Sequence, residues 1–185
     1  MKKAGANTIY FGIESGTQKI LDFIGKGVTP EQSKISVKNA EEAGLRTFGS
    51  FIIGFPQESK SDVKRTLKFS RKVGVDFAQF TIATLYPGTR LWNMSLKEKL
   101  LTTFDWRKFT TIDPILNLKC FTSDQITKFL EFAYLKFYLR PKVLLKDLAQ
   151  NKGFILRRAV PQAIKFFTNE ENLRKIVPKT GGGMV

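Results

Sequence analysis

Three apolar, β-prone runs separated by helix-patterned segments leave this chain little choice of fold. The runs are Asn7–Ile13, Leu45–Ile53 and Val75–Leu85, and each gives way to small and polar residues at its carboxyl end. After the first, a short helical segment over Thr17–Ile24 is stopped by Gly25 and Gly27. Thr29-Pro30-Glu31-Gln32 then opens a longer helix: Thr29 caps it, Pro30 suits the first turn and Gln32 completes a capping box. Ile35, Val37, Ala40 and Ala43 supply its apolar stripe, and Gly44 ends it. The next helix begins at Ser59 or Ser61. It sets Val63, Leu67, Ser70 and Val73 against a basic face of Lys64, Arg65, Lys68, Arg71 and Lys72, and closes at Gly74. Strand–helix alternation of this kind predicts βαβ units with parallel strands and right-handed crossovers.

Beyond the turn Tyr86-Pro87-Gly88-Thr89, a helix is expected over Arg90–Leu101, then an irregular stretch. Thr122-Ser123-Asp124-Gln125 is a second capping box, leading an amphipathic helix to Leu139 that Arg140-Pro141 breaks. Two further basic helices are expected at about 142–150 and 154–167, before a glycine-rich tail. The expected division is an α/β domain over 1–112 and a basic helical extension over 113–185. Three βα units are too few to close a barrel, which takes eight, so an open sheet edge and a tendency to self-associate are expected.

Composition removes several chemistries. The chain has no histidine, so the commonest general base and metal ligand is missing. Its one cysteine, Cys120, cannot build a disulfide framework or a cysteine cluster, and is expected as a buried small hydrophobe. No run approaches the roughly 20 apolar residues of a membrane span, and the N-terminal stretch lacks the core of a signal peptide. A cytoplasmic setting follows by default, with a peripheral membrane location left open. The net charge of +15 points either to an anionic partner or to a solubilising surface.

Candidate functional residues gather at the strand ends, where α/β proteins meet their ligands. Glu14-Ser15-Gly16 ends the first run; Tyr10, Gly12 and Glu14 alternate onto one face. A carboxylate there needs a partner or solvent, so it either contacts a ligand or caps the helix that follows. Gly54-Phe55-Pro56-Gln57-Glu58 follows the second run, as a loop to hold a flat ring or as an ordinary connection. Ser50 lies inside that run, as a ligand contact or a hydrogen-bonded core hydroxyl, and Lys26, between two glycines, is either simply solvated or back at the same rim one short helix beyond Glu14. The stripe Phe129, Phe132, Ala133, Leu135, Phe137 and Leu139 either packs or, with Lys128, Lys136, Arg140, Lys142 and Lys146, lies on an anionic surface.

Taken in order, Gly12-Ile13-Glu14-Ser15-Gly16, Lys26-Gly27-Val28-Thr29, Ile52-Ile53-Gly54-Phe55-Pro56-Gln57-Glu58 and Tyr86-Pro87-Gly88-Thr89 resemble the second half of a radical S-adenosylmethionine (SAM) domain. The nearest likeness is to the cobalamin-binding subgroup, which includes the anaerobic magnesium-protoporphyrin ester oxidative cyclases and many methyltransferases; methylthiotransferases share a similar pattern. The resemblance implies a partial (β/α)6 TIM-like barrel, of which this chain supplies the last three βα units, plus a C-terminal helical extension. It implies that Glu14, with Ser15, meets the ribose or amino-acid end of SAM, and that Lys26 pairs with the SAM carboxylate. Ser50 matches a position often occupied by aspartate that holds the ribose hydroxyls. Gly54, Phe55 and Pro56 match the loop lining adenine, with Ala83 and Leu85 as apolar neighbours.

The resemblance also implies a [4Fe–4S] cluster held by a CxxxCxxC loop, which this sequence lacks. The expectation is therefore a SAM-positioning half, inactive alone, whose partner is the N-terminal half of the domain or a chain carrying it. Cobalamin is a further expected cofactor of the complete protein. The alternative is a non-catalytic basic module binding RNA or a partner protein, though no specific nucleic-acid motif is present.

Overall fold

The computed structural model describes residues 1–151 together with Gly153, Arg157 and Pro161. Three strands, β1 (Thr8–Glu14), β2 (Arg46–Ile53) and β3 (Phe77–Ile82), form one parallel sheet in the order β1-β2-β3. Between them lie α1 (Gln18–Phe23), α2 (Pro30–Glu42) and α3 (Lys60–Lys72), and α4 (Arg90–Lys97) follows β3. The expected alternation and strand direction hold. The C-terminal region is helical: α5 (Ser123–Tyr138), then α6 (Pro141–Asn151). The helix expected over 154–167 and the glycine-rich tail lie outside the described residues, save Arg157 and Pro161.

Among the described residues, Met1–Phe137 form one compact unit, and those from Tyr138 onward group separately from it. The helix starts follow their capping chemistry. Thr29 and Gln32 exchange hydrogen bonds with each other's backbone, as do Ser59 and Asp62 and, before α5, Thr122 and Gln125. The stripe of α3 is buried as its spacing requires, with Thr66 added to it. That of α2 is narrower than expected: Val37 and Ala40 are buried, whereas Ile35 and Ala43 are exposed.

Alternation divides the sheet into two unlike faces. On one, Ile13, Phe51, Ile53, Phe80 and Ile82 are buried in a core that includes Val63 and Leu67 of α3 and Ile126, Phe129 and Phe137 of α5. Burial of Phe129, Ala133, Leu135 and Phe137 makes the α5 stripe a packing surface. The second face is less covered. Tyr10, Phe48 and Phe77 lie side by side across the three strands, with ring centroids 4.8 and 6.5 Å apart, and the Tyr10 hydroxyl donates to Gln79 Oε1 at 3.0 Å.

The two sheet edges also differ. The Tyr134 hydroxyl of α5 accepts from the Phe80 amide at 3.1 Å and donates to the Phe80 carbonyl at 3.0 Å, while the Ile82 amide donates to the Thr111 carbonyl. These bonds occupy the outer edge of β3. Among the described residues no strand pairs with the outer edge of β1. Cys120 is exposed, contrary to its expected burial; it lies in the short turn between Leu118 and Phe121, whose own side chains take the buried positions.

Candidate functional site

Parallel pairing sets the carboxyl ends of β1 and β2 side by side, Gly12 opposite Ser50. Between Gly12 and Glu14 the register slips, and Glu14 takes a left-handed backbone with φ 65°. A non-glycine residue in that region costs about 1–2 kcal/mol, and a bulge of this kind re-aims the side chain that follows it. Here the Glu14 carboxylate is turned over the strand it has just left. A Cβ placed on Gly12 would stand 2.6 Å from Glu14 Oε1 and 3.1 Å from Lys26 Nζ. Lys26 itself, returned to the strand end by α1, bonds Glu14 Oε1 at 3.2 Å. Both side chains keep partial access to solvent. Glycine at position 12 is thus the condition for a carboxylate and an ammonium to lie together on the open face, one strand away from the half-buried Ser50.

Ser15 behaves differently from its expected role. It is fully buried, and its hydroxyl pairs with those of Thr17 and Thr66 at 3.3 and 3.1 Å while accepting from the Thr17 amide. The Thr66 hydroxyl also accepts from the Gly16 amide. A Cβ on Gly16 would meet Phe69 Cβ at 2.5 Å, so this turn is pressed against α3. Ser15 therefore fastens the strand end to the helix behind it, and Glu14 alone faces outward.

The loop after β2 is held by a residue whose role spacing did not reveal. Glu58 Oε2 accepts the Gly54 amide at 2.6 Å and the Phe55 amide at 3.3 Å, while Oε1 is buried with no hydrogen-bond partner. Burial pushes the Glu58 carboxyl up to about 7, only partly offset by those two amides. A glutamate four residues after a glycine that ends a strand is the sequence signal, legible once the loop is known to fold back on its own amides. Nearby Asp62 shows the opposite balance. Burial pushes it up, but the Lys19 ammonium at 2.9 Å and the donors of Ser59 outweigh this and hold it at about 2.

Gly54 has φ 88°, which favours glycine, yet the space beside its Cα is filled by Ile126 of α5 and Ile82 rather than left open. Phe55 and Ala83 are buried with Ile20 in one apolar cluster, against which the half-buried Phe23, Ile24, Ile52 and Leu91 pack. Leu85 is fully buried and Pro56 half-buried. An apolar surface and a charged pair are thus both offered at the carboxyl ends of β1 and β2.

Residues 1–70 match the family model described as the radical SAM superfamily. An uncharacterized methyltransferase of Pyrococcus horikoshii is 55% identical over 167 residues, covering 90% of this chain and 36% of that protein. The anaerobic magnesium-protoporphyrin IX monomethyl ester cyclase of Cereibacter sphaeroides is 28% identical, over 90% of this chain and 26% of the enzyme. The bacteriochlorophyllide d C-8(2)-methyltransferase of Chlorobaculum tepidum is 25% identical, over 82% and 34%. The chain spans about a quarter to a third of the length of these curated relatives. With methyltransferases and a cyclase among the proteins it resembles and a parallel βα sheet in its structure, this chain carries the radical SAM superfamily match in residues 1–70.

Proposed function

We propose that this chain positions SAM within a radical SAM methyltransferase or oxidative cyclase. One observation carries the reading: the Glu14–Lys26 pair over Gly12, at the carboxyl end of a parallel strand. An α-amino acid presents an ammonium and a carboxylate on one carbon, and a carboxylate beside an ammonium is the complementary arrangement. On this reading Glu14 accepts from the SAM ammonium and Lys26 donates to its carboxylate, each exchanging one ionic partner for another. Ser50 lies in register with Gly12, where a hydroxyl suits a ribose oxygen. The half-buried part of the Phe55–Ala83 cluster, with Ile52, offers an apolar surface to adenine. Gly54 and Pro56 shape that loop, and Leu85, fully buried, is an apolar neighbour of Ala83 along the chain. Ser15 acts on the ligand only through the loop it fastens. When bound, SAM supplies the group that is transferred or the precursor of the hydrogen-abstracting species.

The donor set fits SAM and does not fit an iron–sulfur cluster. A [4Fe–4S] cluster takes cysteine thiolates, and this chain has one cysteine, exposed Cys120. Among the described residues no group of three or more His, Cys, Asp and Glu side chains could hold a metal. We therefore place the cluster on residues outside this chain, with the unpaired edge of β1 as the place where the remainder of the sheet would join. Cobalamin, proposed from the cyclase and bacteriochlorophyllide methyltransferase relatives, would likewise be held elsewhere. The alternative of a non-catalytic RNA-binding or partner-binding module finds no support among the matches.

Titration calorimetry with SAM tests the site. Binding by the chain, weakened about tenfold or more in Lys26→Ala and Glu14→Gln, is the expected outcome, from loss of one charge-assisted contact. Equal affinity in all three proteins would remove the proposed site.

A further inference from the structure

Residues 102–115 form a loop closed at its base. Leu101 and Leu116 make an antiparallel bridge, the Thr102 amide and hydroxyl both donate to the Ile115 carbonyl at 3.0 Å, and the Asn117 amide donates to the Leu100 carbonyl at 2.7 Å. Two further bonds tie the loop to the sheet end: Thr84 Oγ1 to the Thr110 carbonyl and the Ile82 amide to the Thr111 carbonyl, each at 2.7 Å. So anchored, the loop exposes large apolar side chains. Phe104, Trp106 and Ile112 are 65%, 59% and 60% exposed. Trp106 is braced from beneath, since it stacks on Trp92 of α4 at 5.8 Å and lies tilted against Phe109 at 4.6 Å. Exposed Arg107 and Lys108 follow Trp106 in the loop, and exposed Lys97, Lys99 and Lys119 lie in the sequence about its base, against Glu98, Asp105 and Asp113; Asp105 is engaged by Arg107 at 2.9 Å.

We propose that this loop inserts its apolar tip into the interface of an anionic lipid bilayer. A rigid loop tipped with Trp, Phe and Ile and bordered by lysines has the composition of an interfacial anchor, with rings at the headgroup level and ammonium groups against anionic lipid. Two competing occupants fit less well. Single-stranded nucleic acid is read by aromatic faces left free for bases, whereas one face of Trp106 is taken by Trp92, Phe109 lies tilted against both, and exposed Ile112 has no ring to offer. Protein interfaces are depleted of lysine, and this loop is bordered by it. The excess of cations over the whole chain favours the same partner. The inference stands independently of the SAM site.

The chain's two tryptophans, Trp92 of α4 and Trp106 of the loop, stack on each other, so intrinsic fluorescence reports on this cluster. The full chain is mixed with vesicles of phosphatidylcholine, with and without phosphatidylglycerol, then sedimented. Its tryptophan emission is followed, with brominated phosphatidylcholine as a depth-dependent quencher. Expected are co-sedimentation that requires phosphatidylglycerol, a blue shift and quenching. The exposed-site double variant Phe104→Ser, Ile112→Ser should bind at least about tenfold more weakly, from the apolar area withdrawn from the bilayer. No co-sedimentation overturns the proposal. So does binding that leaves tryptophan emission unchanged or is unaffected by the double variant, because the contact would then lie elsewhere on the chain. An emission change produced by single-stranded RNA but not by vesicles overturns it in favour of nucleic acid. Near-UV circular dichroism of the double variant should match the parent; if it does not, quenching of the unsubstituted chain by brominated lipid decides.

Discussion

Lys26 Nζ lies 3.2 Å from Glu14 Oε1, and the two crowd the place a Cβ at position 12 would take, 3.1 and 2.6 Å from it. Strand pairing, the Glu14 bulge and the return of α1 meet at this point. The atoms closest to Gly12 are the ends of flexible side chains, so crowding there disturbs the pair before it disturbs the fold.

Gly12→Ala should therefore separate function from stability. Moving the Glu14 carboxyl aside relieves the 2.6 Å approach, and urea unfolding should change by less than about 1 kcal/mol. SAM affinity, measured by calorimetry, should fall about tenfold because the charged pair is displaced.

Gly16→Ala should do the reverse. Its Cβ would meet Phe69 Cβ at 2.5 Å and the Thr66 Cα at 3.0 Å, and neither can swing away without moving α3. Overpacking of this kind costs about 1–3 kcal/mol, which urea denaturation would register. A Gly16→Ala protein as stable as the parent would mean that β1 and α3 are not closely apposed.

The Glu58 carboxyl gives the folded chain a distinct pH dependence. Its folded value of about 7 lies above the ordinary 4.5, so the native state retains a proton that the unfolded chain has lost. Glu58 thus favours folding most below about pH 4.5, and its contribution declines as pH rises to about 7, by on the order of 3 kcal/mol. Asp62, held at about 2 against an ordinary 3.8, acts in the opposite sense and lower range: its stabilisation is present above about pH 4 and is lost towards pH 2. Urea midpoints of Glu58→Gln should vary less between pH 5 and pH 8 than those of the parent. An unchanged slope would mean that this carboxyl is solvated.

Tyr134→Phe should loosen the covered sheet edge. It removes the hydroxyl that serves both the amide and the carbonyl of Phe80, leaving two backbone groups without that partner at a cost of about 1–3 kcal/mol. Hydrogen exchange should show the Phe80 amide losing protection ahead of those of β2.

Apolar β-prone runs, two of the three capping boxes and the basic face of α3 were readable along the chain because each depends on residues a few positions apart; the Ser59–Asp62 box was not, the sequence leaving that helix start between Ser59 and Ser61. Local logic leaves Lys26 open between a solvated side chain and a return to the end of β1, and the assembled fold brings it to Glu14. Burial follows distant contacts, and there local logic misjudged several residues. Ile35 has the spacing of a core residue but is exposed, Cys120 has the chemistry of one but lies in a turn, and Ser15 has the look of a ligand contact but is taken by Thr66.

What sequence alone determined was the order of parallel βα units and the family motifs at their ends, because hydrophobic period and capping are short-range properties. Only the tertiary structure decided which of those motif residues face outward. The Glu14 bulge, the packing of Ile126 against Gly54 and the closing of Glu58 on its own loop each couple groups whose meeting requires the sheet and helices to be assembled first.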